Sequence, residues 1–184
     1  MALLFVPMFL AGLVMMAKAP DLLKERLNAR ETESDQKKVL LASDLMFAGG
    51  FMAAGFSQRF QWMLLPKGLM VTGAVLFLLA YGLYGEVLRE NRYLSRTIKV
   101  QEGQTVVDTG LYGMVRHPMY SVTLILFLSM PLILGSLAAL VIFLIYPAII
   151  VFRIRNEEQV LEKDLPGYRE YQQKVRYRLI PFLW

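Results

Sequence analysis

Long apolar runs separated by short charged stretches constrain this chain more than any motif does. A bilayer core about 30 Å thick takes roughly 20 apolar residues per helix. Five runs approach that length: 1–17, 39–56, 68–84, 120–134 and 136–152. The last two belong to one apolar block, in which Pro131 and the Gly135-Ser136 pair predict a tight helical hairpin. The expected fold is all-α, a polytopic integral membrane protein with about five transmembrane helices. It reads as a single domain over 1–184, with no internal repeat or low-complexity linker. Hydrophobic residues make up 56% of the chain, which excludes disorder. The lack of cysteine and the single histidine exclude a disulfide scaffold and a thiolate zinc or iron–sulfur centre, so no metal site is expected.

Charge placement tests the span count. The formal charge is +5, but Lys and Arg between apolar runs report topology before they report nucleic acid, and no nucleic-acid partner is expected. Six basic residues lie in 18–38, two in 57–67, five in 85–119, none in the hairpin turn and seven in 153–184. Alternate connections therefore carry eighteen against two. That asymmetry predicts five spans with the N-terminus outside and the C-terminus in the cytoplasm. Residues 1–17 lack a basic leader and a small-x-small cleavage site before Lys18, so they are read as a retained span. The small size of the chain points to the inner membrane of a prokaryote. Segments 85–119 and 153–184 then share the cytoplasmic face.

Two clusters on that face carry candidate chemistry. Residues 110–120 read Gly-Leu-Tyr-Gly-Met-Val-Arg-His-Pro-Met-Tyr and lead into the fourth span, with Pro118 suited to a first helical turn. Arg116, His117 and Tyr120 are either an interfacial anchor or a pocket wall, and the residues alone weigh these equally. The second cluster, Arg153-Ile154-Arg155-Asn156-Glu157-Glu158, follows the fifth span. On a continuing helix Arg153 and Glu157 share a face, and a structural ion pair there ranks slightly ahead of a catalytic role for Arg153. Glu162 and Lys163 read as ordinary solvated charges. Acidic residues just outside a span, as Glu157 and Glu158 are, suit hydroxyl or ammonium binding at a bilayer-edge pocket.

Together the Arg-His-Pro-x-Tyr run, the hairpin, the Glu-Glu pair, Tyr168-x-x-Tyr171 and Arg178-x-x-Pro181 resemble the isoprenylcysteine carboxyl methyltransferase family and related phospholipid methyltransferases. The resemblance covers roughly 85–184. It implies an S-adenosyl-L-methionine pocket, releasing S-adenosyl-L-homocysteine, built from 85–119 and 153–184. His117, Tyr120, Glu157 and Glu158 would contact the cofactor, with Arg116 and Pro118 beside them. Gln101, Gly103, Gly110, Leu111 and Tyr112 would supply the loop contacts. Tyr120 and Arg153 are the candidates for catalytic roles. Leu94-Ser95 stands where the family often has a Trp-Ser pair.

Methyl transfer from a sulfonium is an in-line displacement, so positioning and water exclusion dominate and a carboxylate acceptor needs no general base. Faces of Tyr112, Tyr120 or Tyr168 could hold the cation. A membrane site implies a lipophilic or lipidated acceptor reached through the lipid. The rival readings are a phospholipid or other small hydrophobic acceptor, a non-catalytic scaffold, and, ranked last for want of a Gly-x-Gly-x-x-Gly fingerprint, a nicotinamide-dependent membrane reductase. Elsewhere, Asp44 reads mainly as interfacial. Residues 18–38, with Leu22, Leu23 and Leu27, read as an interfacial amphipathic helix, and the eleven methionines read as adaptable packing. Oligomeric state is left open, since glycine-rich faces serve a dimer or internal packing equally.

Overall fold

The computed structural model describes residues 2–18, 20, 23, 34–94 and 97–184. Most of the expected amphipathic segment (19, 21–22 and 24–33), and Ser95, lie outside the described residues. The described helices are α1 (Ala2–Lys18), α2 (Ser34–Phe60), α3 (Lys67–Glu90), α4 (Pro118–Ile133), α5 (Leu137–Phe143), α6 (Tyr146–Asp164) and α7 (Tyr168–Lys174), with a 3₁₀ turn at Gly110–Gly113. No strand occurs among the described residues. The all-α expectation therefore holds. Three stretches, Lys37–Phe60, Lys67–Glu90 and Leu137–Asp164, are long and apolar enough to cross a membrane, and Leu4–Ala17 and Pro118–Ile133 are shorter apolar helices.

The chain divides into two compact units. One comprises 33–83 and 122–152. Here α2 lies against α5, and Phe47 meets Phe127 and Phe143 edge-on at ring distances of 4.9 and 5.4 Å. Close approach is possible because Gly50 has no side chain: a Cβ there would sit 2.3 Å from the Phe143 ring. Gly73 does the same for α3, where a Cβ would sit 2.6 Å from Leu132 Cβ. The buried Ser57 and Ser136 hydroxyls bond at 2.8 Å, and Ser136 also caps α5 by accepting from the Ala139 N–H. Large side chains such as Leu45, Met52, Val71 and Leu79 are exposed along α2 and α3. That much outward apolar surface suits lipid, not water.

The hairpin differs from expectation in two places. Pro131 lies inside α4 and does not end it. The turn comes at 134–136, where Gly135 takes φ +67°, a backbone conformation that costs a side-chain-bearing residue energy. The predicted single arm over 136–152 is broken between α5 and α6, at 144–145. Pro147 explains the break, since it has no N–H to donate and its ring crowds the carbonyl four residues back.

The other unit comprises 1–32, 84–121 and 153–184. Its packed centre is Leu165, Tyr168, Tyr171 and Val175, with Val100, Val106 and Leu161 against them. Residues 116–117 pair with the tail through Arg116 N–H to Tyr177 O at 2.8 Å and His117 N–H to Arg178 O at 2.9 Å. The Ser121 hydroxyl donates to Leu179 O at 2.6 Å. These bonds bring the tail beside the start of α4.

Candidate functional site

Pro118 opens α4, and the His117 carbonyl accepts from the Tyr120 and Ser121 N–H groups of the first turn. This holds Arg116, His117 and Tyr120 against the polar end of α6, beyond the apolar stretch that closes at Phe152. Glu158 is buried at the centre. Its Oε1 accepts from Arg116 Nε at 2.8 Å and faces His117 Nε2 at 3.3 Å, while Oε2 accepts from Arg178 Nε at 2.8 Å. Arg116 Nη1 also donates to the carbonyls of Val175 and Arg176, each at 2.8 Å. Burial pushes the Glu158 carboxyl upward, but the hydrogen bonds from His117, Arg178 and Arg116 outweigh it and lower the group to about 2.

A second assembly adjoins the first. Arg153 Nε donates to the Tyr120 hydroxyl at 2.9 Å, and that hydroxyl donates to Glu157 Oε2. The expected Arg153 and Glu157 neighbours thus have a phenol between them. The His117 and Tyr120 rings, 5.7 Å apart, join the two assemblies. Three guanidiniums face two carboxylates across this region, a surplus of positive charge. Glu157 is half-buried, and among the described residues its Oε1 takes no donor. That oxygen can receive an ammonium or hydroxyl group. Glu158, which holds three cationic or imidazole donors already, orders its neighbours instead.

The loop residues separate into two groups. Gln101 and Gly103 are tied to each other's turn and to Tyr93: Gln101 Nε2 donates to Tyr93 O at 2.7 Å, and the Tyr93 hydroxyl donates to Gly103 O at 3.1 Å. Among the described residues, no hydrogen bond or ion pair joins them to the Glu158 assembly. Gly110, Leu111 and Tyr112 form the 3₁₀ turn, and Leu111 N–H donates to Glu90 Oε2 at 2.9 Å. The Tyr112 carbonyl accepts from the Tyr171 hydroxyl at 2.7 Å.

Three residues outside the expected set belong here, together with Tyr168, which was expected only as an aromatic face for the cation. Arg178 and Tyr171 stood in the terminal motifs, where their spacing was visible but their partners were not. Tyr168 is buried with Leu165, Tyr171 and Val175, and its phenol is held above the usual range first by that burial and then by the charges of Glu158 and Glu157. Glu90 had no signal at all; it reaches Leu111 because α3 continues past the apolar stretch.

A model of the phospholipid methyltransferase family matches residues 68–166, a little over half the chain. The chain belongs to that family. The phospholipid methyltransferase region runs from α3 to the turn after α6, so it includes the 3₁₀ turn, Arg116 to Tyr120, the hairpin and the Glu157-Glu158 pair. The chain is also similar to Delta(14)-sterol reductase of Mus musculus, with 37% identity over 91 residues, covering 48% of this chain. It spans only 22% of that reductase's length. Family membership and the apolar helices make this an integral membrane protein.

Proposed function

We propose that the protein transfers a methyl group from S-adenosyl-L-methionine to a lipophilic acceptor at the membrane–cytoplasm boundary, in the manner of isoprenylcysteine carboxyl O-methylation. The carrying observation is the joined pair of assemblies, Arg116–His117–Glu158–Arg178 and Arg153–Tyr120–Glu157, in a member of a methyltransferase family. The residues fit the cofactor: among the described residues, Glu157 keeps an open oxygen for an ammonium and Tyr168 keeps a buried hydroxyl without a partner. When bound, the cofactor supplies an activated methyl on a sulfonium. With a carboxylate acceptor, the O–CH₃ bond forms as the S–CH₃ bond breaks and the electron pair goes to sulfur. Opposite charges vanish together, so a low-dielectric site favours the step and no side chain has to take a proton. Arg153, half-buried next to Tyr120, would hold the acceptor carboxylate in this reading.

Two alternatives have support. The family match favours a phospholipid amine acceptor, for which a proton must leave. The likeness to a sterol reductase favours hydride transfer from a nicotinamide, and the surplus guanidinium charge would suit its phosphates. Calorimetry on detergent-purified protein separates these readings. Micromolar binding of S-adenosyl-L-methionine, weakened at least tenfold (about 1.4 kcal/mol) by Glu157→Gln, supports methyl transfer. Turnover of a prenylcysteine carboxylate but not of phosphatidylethanolamine then selects the acceptor. Binding of NADPH in place of S-adenosyl-L-methionine would overturn the proposal, and binding of neither by folded protein would favour a scaffold.

A further inference from the structure

Tyr168 and Tyr171 sit one turn apart on α7 with ring centroids 5.8 Å apart, yet their hydroxyls fare differently. The Tyr171 hydroxyl donates to Tyr112 O at 2.7 Å. The Tyr168 hydroxyl is fully buried and has no hydrogen-bond partner among the described residues. A buried hydroxyl left unpaired is costly, and native structures keep few of them. Its ring packs with Leu165, Tyr171 and Val175, and the charges of Glu158, Glu157 and Arg116 reach its hydroxyl. The arrangement is that of a donor held in place for something that arrives later.

On the cofactor reading proposed above, we infer that the Tyr168 hydroxyl donates a hydrogen bond to the carboxylate of the cofactor's amino-acid moiety, making Tyr168 a binding residue of this site. The chemistry selects that group. Near two carboxylates the phenol stays protonated and acts as a donor, so it seeks an acceptor oxygen. Glu157, with one oxygen open, is placed to take the ammonium of the same moiety.

Tyr168→Phe tests this by binding and by melting, without turnover. The probes are S-adenosyl-L-homocysteine and 5′-methylthioadenosine, which lacks the amino-acid moiety. The variant is expected to bind S-adenosyl-L-homocysteine at least tenfold more weakly and methylthioadenosine within twofold of wild type. Ligand-free Tyr168→Phe is expected to melt at or above the wild-type temperature, because it loses no bond. A lower melting temperature would show that the hydroxyl has a protein partner and would overturn the inference. Equal binding of S-adenosyl-L-homocysteine by both proteins overturns it while leaving the methyltransferase reading standing. Equal weakening toward both probes puts the contact on the nucleoside and overturns the carboxylate assignment. Binding of neither probe by folded wild type removes the methyltransferase reading and this inference with it.

Discussion

At the scale of single residues, Glu158 decides most. Replacing it with Gln leaves the buried Arg116 guanidinium without its counter-charge, which costs about 3–5 kcal/mol where such pairs are broken. Denaturant unfolding in detergent should show that loss. Arg178, whose side chain is 35% exposed, should cost about 1 kcal/mol or less when changed to Gln. The same carboxyl sets an acid limit. It titrates near 2 when folded against 4.5 ordinarily, so between those values the unfolded chain binds more protons. The stabilisation is complete above about pH 4.5 and fades as pH falls toward 2. Melting temperatures of wild type should drop across that window, and those of Glu158→Gln should drop less. The pairing of the Arg-His-Pro and Glu-Glu runs was legible because both flank apolar spans on one side of the charge asymmetry. The saturation of Glu158 was not, because it depends on Arg178 returning from the tail, 20 residues away.

At the scale of elements, the hydropathy pattern located the described apolar helices, but it read α5 and α6 as one arm and stopped α2 and α3 short. α3 runs on to Glu90 because residues 85–90 pay no penalty for helix in water, and only there does its last carboxylate meet Leu111 N–H. Gly110 makes room for that contact: its φ is +52°, and a Cβ would fall 1.4 Å from Glu90 Oε1. Gly110→Ala should therefore lower the melting temperature and speed proteolysis of the 97–117 segment. Adding Glu90→Ala should recover only part of the loss, since the backbone strain remains. Helix packing gives a paired prediction. Gly50→Ala and Gly73→Ala force shifts of the Phe143 ring and of Leu132, at about 1–3 kcal/mol each, whereas Gly82→Ala meets nothing within 4 Å and should be neutral in the same unfolding assay. The break before α6 had a visible cause in Pro147, but a long apolar run masks a short interruption when spans are counted by length.

At the scale of the whole molecule, the surface is a mixture that only a membrane tolerates, with exposed Leu, Phe and Met along α2 and α3. The absence of cysteine makes the topology directly measurable. Single cysteines at Gln61 and at Arg169 should label with an impermeant maleimide from opposite sides of intact vesicles, as five spans require; labelling from the same side would refute that count. The order in which the chain is made adds one more consequence. Arg116 and His117 leave the ribosome well before the residues through Arg178 that complete their hydrogen bonds. Every apolar helix can enter the bilayer before the cluster around Glu158 exists. Truncated products ending before residue 175 would insert normally yet carry no assembled centre, so a stalled translation product would be membrane-bound but inert.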